Sequence, residues 1–314
     1  MVVLVTARVA SMAVGQAFYA PGPLAASRDL VIPPGSTSFV ATLLQQAGVV
    51  RHALVFRLAV WETRASGPIH AGEFLIPAHA SLSQVLNILR HGAPVEHQVT
   101  FPEGLTGAQI AGILNHAPAA RGHVLPPPEG SVLPQTYDYT LGTPRSAILA
   151  RAQRAMRHGL AAAWAGRSRA IPLKTPRQAL ILASIVQQES PLASELPKIA
   201  AVYENRLALG MRLQADPTVI YAASGGKNSG GEVISRADLA NPSPYNTYEY
   251  AGLPPGPICA PGIAAILAVL HPAASRALYF VATGNGGHVF TEHFKTQLRN
   301  IARYQARLKA RAHP

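Results

Sequence analysis

The sequence predicts an α+β protein of two domains: a small strand–helix–helix–strand domain over residues 28–95, followed by a larger mixed α/β domain over residues 96–314. Three observations predict this. Short β-type and short helical runs alternate through residues 28–92. From Pro176 onward, apolar residues recur at helical spacing over longer stretches. Near the C-terminus, Tyr279-Phe-Val-Ala282 and Gly286-Gly-His-Val-Phe290 read as a buried strand and then a turn into a second strand, a hairpin. A composition of 48% hydrophobic and 13% charged residues is that of a folded chain, not a disordered one, and 314 residues are ample for a core. With 26 glycines and 27 prolines, the loops should be many and stiff.

The elements follow in order. Met1–Ala20 is almost wholly apolar, Arg8 is its only charge, and Pro21-Gly-Pro23 breaks any helix beyond it. A transmembrane helix needs about 20 apolar residues. A membrane anchor, a cleaved signal peptide and a buried helix all remain open, because no positive residue precedes the run and no A-x-A site precedes Pro21. Leu30–Ile32 reads as a strand ended by Pro33-Pro34-Gly35. Ser38 is placed to cap a helix through about Ala47 with Phe39, Leu43 and Leu44 on one side, and Leu54–Trp61 is a second helix. Glu73–Ile76 is a strand, and Ser81 opens a helix with Leu82, Val85, Leu86 and Leu89 at i, i+3, i+4, i+7. A unit of this kind has the size of LysM-type glycan-binding modules, a pattern that many small α+β domains share. After a turn at Pro102-Glu-Gly-Leu105, Thr106 caps a helix. A proline-rich stretch at 125–131 and an Arg/Ala-rich helix from Pro144 to Ala165 come next.

The segment Pro176–Glu189 carries the strongest chemical signal. Leu182, Ile185, Val186 and Glu189 share one helix face, and Pro191 ends the helix almost at once. A carboxylate on an apolar face, near the negative end of a helix, should hold its proton to higher pH, as a general acid requires. The alternative is a glutamate that turns outward or pairs with Arg206 or Lys198. The following helix, about Ser194–Leu209, ends at Gly210 with Asn205 and Arg206 late in it. Asp216 precedes Pro217, where it is most simply an N-cap. The loops Ser243-Pro-Tyr-Asn-Thr-Tyr248 and Gly252-Leu-Pro-Pro-Gly-Pro-Ile258 are stiff and suited to holding side chains.

Other chemistries lack a signature. The net charge of +12 favours an anionic partner, yet there is no Lys/Arg run and no basic helix with interleaved aromatics, so nucleic acid is not expected. The basic stretch Arg299–Arg311 reads as a solvated helix face. No G-x-S-x-G, Walker loop, H-E-x-x-H or Cys/His set is present. Cys259 is the single cysteine and His288 stands alone in its hairpin, so neither a metal nor a cofactor is expected.

Several motifs in sequence carry a family resemblance. Ala183-Ser-Ile-Val-Gln-Gln-Glu-Ser190, Lys198-Ile-Ala-Ala-Val-Tyr-Glu-Asn-Arg-Leu207 and Gly210-Met-Arg-Leu-Gln-Ala-Asp-Pro-Thr-Val-Ile-Tyr221 resemble the endolytic murein transglycosylase family, also called MltG or YceG-like. The 243–248 and 252–258 loops, Gly287-His-Val-Phe290 and Pro134-Gln-Thr-Tyr137 look like its other motifs. Ala71-Gly-Glu-Phe-Leu-Ile-Pro77 and Pro102-Glu-Gly-Leu105 look like its LysM-like part. The resemblance spans about residues 20–314 and departs at Gln187, where members usually carry an acid.

The resemblance implies a membrane anchor with linker over 1–27, its start either intact or truncated, a LysM-like domain over 28–95 and a catalytic domain over 96–314 on the outer face of the cytoplasmic membrane. It implies a lytic transglycosylase with one acid/base, Glu189, that cleaves between N-acetylmuramic acid and N-acetylglucosamine and leaves 1,6-anhydro ends, terminating strand growth. Candidates for contacting the glycan are Ser190, Asn205, Arg206, Gln214, Asp216, Tyr221, Tyr245 and Asn246. Peptidoglycan is the expected substrate and wall synthases are the expected partners. A non-catalytic wall-binding protein and a lysozyme-like hydrolase are the alternatives.

Overall fold

The computed structural model describes residues 18–231, 233–284 and 286–312. It is a mixed α+β structure that divides into two compact units.

The first unit begins with β1 (Arg28–Ile32), α1 (Thr37–Gln46), α2 (Ala53–Glu62) and β2 (Gly72–Ile76), and continues into α3 (Leu82–His91). β1 and β2 pair antiparallel, with Arg28 opposite Ile76 and Ile32 opposite Gly72. Alternation does the sorting: Leu30, Ile32, Phe74 and Ile76 are buried while Val31 and Leu75 face out. The cap of α1 is Ser36, whose hydroxyl accepts from the Phe39 amide, not Ser38. The buried face consists of Val40, Ala41 and Leu44, while Phe39, expected beside Leu43 and Leu44, is exposed. α3 carries a full capping box between Ser81 and Gln84 and buries Leu82, Val85, Leu86 and Leu89, the face expected.

β3 (Glu96–Thr100) and β4 (Thr136–Thr140) pair in a second small sheet. Between them lies α4 (Gly107–Asn115), capped by Thr106 with Gln109 in a second capping box. The larger unit then builds on α5 (Arg145–Ala165), α6 (Pro176–Glu189), α7 (Leu196–Ala208), α8 (Asp216–Ala223), the short α9 (Arg236–Leu239), α10 (Ile263–Leu270), the hairpin β5 (Tyr279–Ala282) and β6 (His288–Thr291), and α11 (Phe294–Ala312). The hairpin is antiparallel with Tyr279 opposite Thr291. β5 is only partly buried, where the sequence suggested a buried strand. The core of this unit joins Leu182, Ile185 and Val186 of α6, Ile199 and Tyr203 of α7, and Ile266 and Val269 of α10. Cys259 lies fully inside it, its thiol donating to the Ser184 carbonyl at 3.2 Å, and burial holds that thiol protonated.

Among the described residues no helix is long and apolar enough to cross a membrane. The expected anchor falls mostly on residues 1–17, which lie outside the described residues.

Candidate active site

α6 ends where it does for local reasons. Thr175 caps its start by accepting from the Gln178 amide, and Pro176 occupies the first turn. At the other end Ser190 precedes Pro191, and a residue before proline is driven out of helical backbone. Ser190 is accordingly extended, with φ −151° and ψ 136°. Glu189 is thus the last helical residue and is partly buried.

Glu189 lines a cavity of about 170 Å³ together with Tyr203, Arg206, Leu213, Gln214, Asp216, Tyr248 and Phe280. The Tyr203 hydroxyl donates to Glu189 Oε1. Loss of water is the main influence on this carboxyl and pushes it up to about 7. The Asp216 charge acts in the same direction, while the Tyr203 hydrogen bond and the Arg206 charge offset part of the rise. The result is a group able to give and take a proton near neutrality.

The walls are held from several directions. Arg206 donates from Nε to the Leu278 carbonyl at 2.7 Å and from Nη1 to the Leu213 carbonyl at 2.6 Å, and its guanidinium lies over Tyr279. Gln214 adopts φ +50°, a left-handed conformation uncommon for a side chain other than glycine, asparagine or aspartate. Its neighbours enforce it: Gln214 N donates to the Thr247 carbonyl at 3.1 Å, Ala215 N to Thr247 Oγ1 at 3.0 Å, and the hydroxyls of Thr218 and Thr247 are 2.9 Å apart. Strain of this kind persists where surrounding contacts over-determine it, and here it sits on the cavity wall. The cap of α8 is Ala215, so Asp216 is not the cap. Its Oδ1 instead accepts from the Tyr248 hydroxyl at 2.5 Å.

Behind the cavity lies a second network. Glu195 accepts from the His288 amide at 2.8 Å, sits 2.7 Å from His288 Nδ1, and accepts from the Ser190 hydroxyl at 3.2 Å. Burial works to raise the Glu195 carboxyl, but the His288 and Ser190 contacts outweigh it and hold it below the usual range. The His288 ring meets Phe280 edge-on at 5.4 Å, so this pair supports a residue of the cavity wall and ties the hairpin to the chain just after Glu189.

The structure brings Glu189, Arg206, Gln214 and Asp216 together, four of the nine residues singled out in the sequence. The other five lie off this wall. Ser190 is buried, with its hydroxyl engaged by Glu195 and the Leu192 amide. Asn205 donates to the carbonyls of Ser275 and Ala277. Tyr221 and Tyr245 pack on each other with centroids 4.8 Å apart. Asn246 is fully buried and holds its own loop by donating to the Leu239 and Asn241 carbonyls. Sequence reasoning missed Tyr203 and Tyr248. Tyr203 continues the apolar stripe Leu196, Ile199, Ala200, and a phenol on a core face needs a partner. That requirement was the one available signal.

Neither size nor a raised carboxyl alone picks this site. A larger cavity, about 600 Å³, lies in the first unit against Pro33–Gly35 and Arg64–Ala71. Glu129 is also pushed up to about 7 by burial, although the Gly107 amide donates to it. Around Glu189 a raised carboxyl lines a cavity beside a second acid, an arginine and two phenols, a combination that neither the larger cavity nor Glu129 offers among the described residues.

A model of the YceG-like family matches residues 30–303. An endolytic murein transglycosylase of Bacillus subtilis is 28% identical over 309 residues, covering 88% of this chain and 84% of that protein. One from Streptococcus pneumoniae is 26% identical over 324 residues, covering 87% of this chain and 57% of that protein. The crystal structure of a YceG-like protein from Listeria monocytogenes matches with a TM-score of 0.53 and 26% identity, covering 87% of this chain and 98% of that one. With the family model spanning most of its length, this chain belongs to the YceG-like family.

Proposed function

We propose that this chain is a peptidoglycan lytic transglycosylase that cuts within glycan strands, with Glu189 as its single acid/base. The observation that carries the reading is the protonatable Glu189 on the wall of a polar cavity, in a chain whose relatives are endolytic murein transglycosylases. Protonated Glu189 donates to the glycosidic oxygen between N-acetylmuramic acid and N-acetylglucosamine. The carboxylate left behind then takes the proton of the muramic C6 hydroxyl, whose oxygen closes on C1 to give a 1,6-anhydro end. The Tyr203 hydroxyl, donating to one carboxylate oxygen, stabilises the charged form between the two transfers. Asp216 and Arg206 set the charge around it, and Gln214 is aimed by its strained backbone to bind a polar group of the sugar.

Residues 28–95 are a LysM-like glycan-binding domain, residues 96–314 the catalytic domain, and residues 1–27 an anchor with linker that holds both outside the cytoplasmic membrane. Cutting there ends the growth of nascent strands beside the synthases that make them.

One observation favours a second reading. Asp216 lines the same cavity as Glu189, and paired carboxyls are what hydrolases use to activate water. Against it, the Tyr248 hydroxyl already engages Asp216. Digestion of purified peptidoglycan, with the glycan ends read by mass spectrometry, separates the two. Internal cuts with 1,6-anhydro ends, lost in Glu189→Gln, support the transglycosylase. Reducing ends lost in Asp216→Asn would replace it with a hydrolase, and no cuts by a folded protein that still binds the wall would leave a binding protein.

A further inference from the structure

The first unit carries an apolar stripe that no part of the chain covers among the described residues. On α2, Leu54, Leu58 and Trp61 are 61%, 51% and 67% exposed. At 100° per residue they fall within an arc of about 60°, opposite the buried Phe56 and Ala59. A soluble helix would place polar residues there. Instead three apolar side chains stand in a row, one of them the tryptophan that membrane–water interfaces favour.

Charge flanks the stripe. Arg51, Arg57 and Arg64 are all exposed, against Glu62 as the one acid of the segment. The Arg64 guanidinium lies over the Trp61 ring, 5.0 Å from its centroid, and donates to the Trp61 carbonyl at 3.0 Å. Apolar anchors bordered by arginines match a lipid surface that offers acyl chains below and phosphates at their level.

Position points the same way. Ala20–Pro23, at the end of the apolar run that begins the chain, line a cavity of about 190 Å³ with Arg51, His52, Val55 and Phe56. The Gly22 amide donates to the His79 carbonyl at 3.1 Å, which fixes that segment to the unit. Residues 20–23 therefore lie beside the first turn of α2.

We propose that the outward face of α2, Leu54–Leu58–Trp61 with Arg57 and Arg64, lies in the headgroup region of an anionic lipid bilayer and sets the height and tilt of the first unit over the membrane. This rests on the anchoring part of the proposed function and not on the chemistry at Glu189. An interfacial helix beside a short anchor gives the second attachment that one apolar segment lacks.

The chain has two tryptophans, so Trp164→Phe leaves Trp61 as the sole one. The full chain with that substitution would be mixed with vesicles of phosphatidylcholine, alone or with phosphatidylglycerol, carrying acyl-brominated lipid. The expected result is a blue shift of Trp61 emission and quenching of roughly two-fold or more with the anionic vesicles, weaker with neutral ones and weakened by salt. Arg57→Glu with Arg64→Glu should reduce the anionic enhancement about five-fold or more, the change expected per arginine lifted from a charged surface. Unquenched Trp61 in protein that sediments with the vesicles would overturn the α2 contact and leave the anchor standing. Protein that stays in solution with every vesicle would overturn both, while glycan cleavage by the same sample would show the chemistry to be intact. A blue shift that follows protein concentration without lipid would assign the face to a second copy instead.

Discussion

Glu189 and Glu204 lie on successive helices of one unit, both lose water on folding and both are pushed up, to about 7 and about 8. Their surroundings differ. Glu189 lines a cavity, with Tyr203 donating to it and Arg206 and Asp216 nearby. Glu204 is buried, and its Oε1 has no hydrogen-bond partner. Burial alone therefore makes a carboxyl hold its proton. A donor, neighbouring charges and access to solvent make that proton useful.

The largest expected effect breaks the pair apart. Glu189→Gln should lower glycan cleavage by on the order of 10²–10⁴-fold, while Glu204→Gln leaves it within about two-fold at neutral pH. Initial rates of release of soluble glycan fragments check both. Equal losses would mean that the two acids act as one structural unit.

Stability gives the next contrast. A carboxyl raised on folding binds more protons in the folded than in the unfolded state between the two values, so stability is present below the unfolded value and is lost as pH rises through the folded one. For Glu204 that window runs from 4.5 to about 8, a loss of roughly 3–5 kcal/mol. Glu204→Gln should flatten the fall in Tm across that window. For Glu189 the window ends near 7. Glu189→Gln should then be more stable than the parent at pH 8, as expected where an active site is held at a cost in stability. Thermal melts from pH 4 to 9 measure both, and a Glu189→Gln protein that melts earlier at pH 8 would contradict the burial argument.

Tyr203→Phe sharpens the comparison by making Glu189 more like Glu204. The lost hydrogen bond lowers the carboxyl, so its removal raises it. The general acid must be protonated, so activity falls as pH rises above about 7 in the parent. In the variant that alkaline limb should move up by about one pH unit, with a rate lower by roughly ten-fold from a less stabilised carboxylate. An unmoved limb would assign Tyr203 to packing alone.

The smallest effect is expected at His288, which touches Glu195 and Phe280 but does not line the cavity. His288→Asn should weaken substrate binding by about two- to five-fold with little change in the alkaline limb, because it loosens Phe280 and the chain after Glu189 and leaves the carboxyl itself alone. A full pH–rate profile distinguishes this from direct participation.

Local signals made α6 legible to the residue: apolar side chains at helical spacing and a proline just past the end. The same reasoning found α3, α4 and the hairpin, whose caps, stripes and turn lie within a few residues of one another. It missed the true cap of α1, because Ser36 and Ser38 are equally good hydroxyls and only packing chooses the face. β3 and β4 were not foreseen either, since each is a short polar strand whose partner lies far along the chain.

The candidate site divides the same way. The sequence by itself determined that Glu189 ends a helix on its apolar face, because helix period and proline sterics act between neighbours. It also determined family membership, through motifs strung along most of the chain. Only the tertiary structure decided that Tyr203 and not Arg206 or Lys198 bonds Glu189, that Tyr248 and not a helix end engages Asp216, and that Asn246 holds a loop instead of facing the cavity. Those contacts join segments distant in sequence, and their partners are fixed by how the helices pack, which no local pattern encodes.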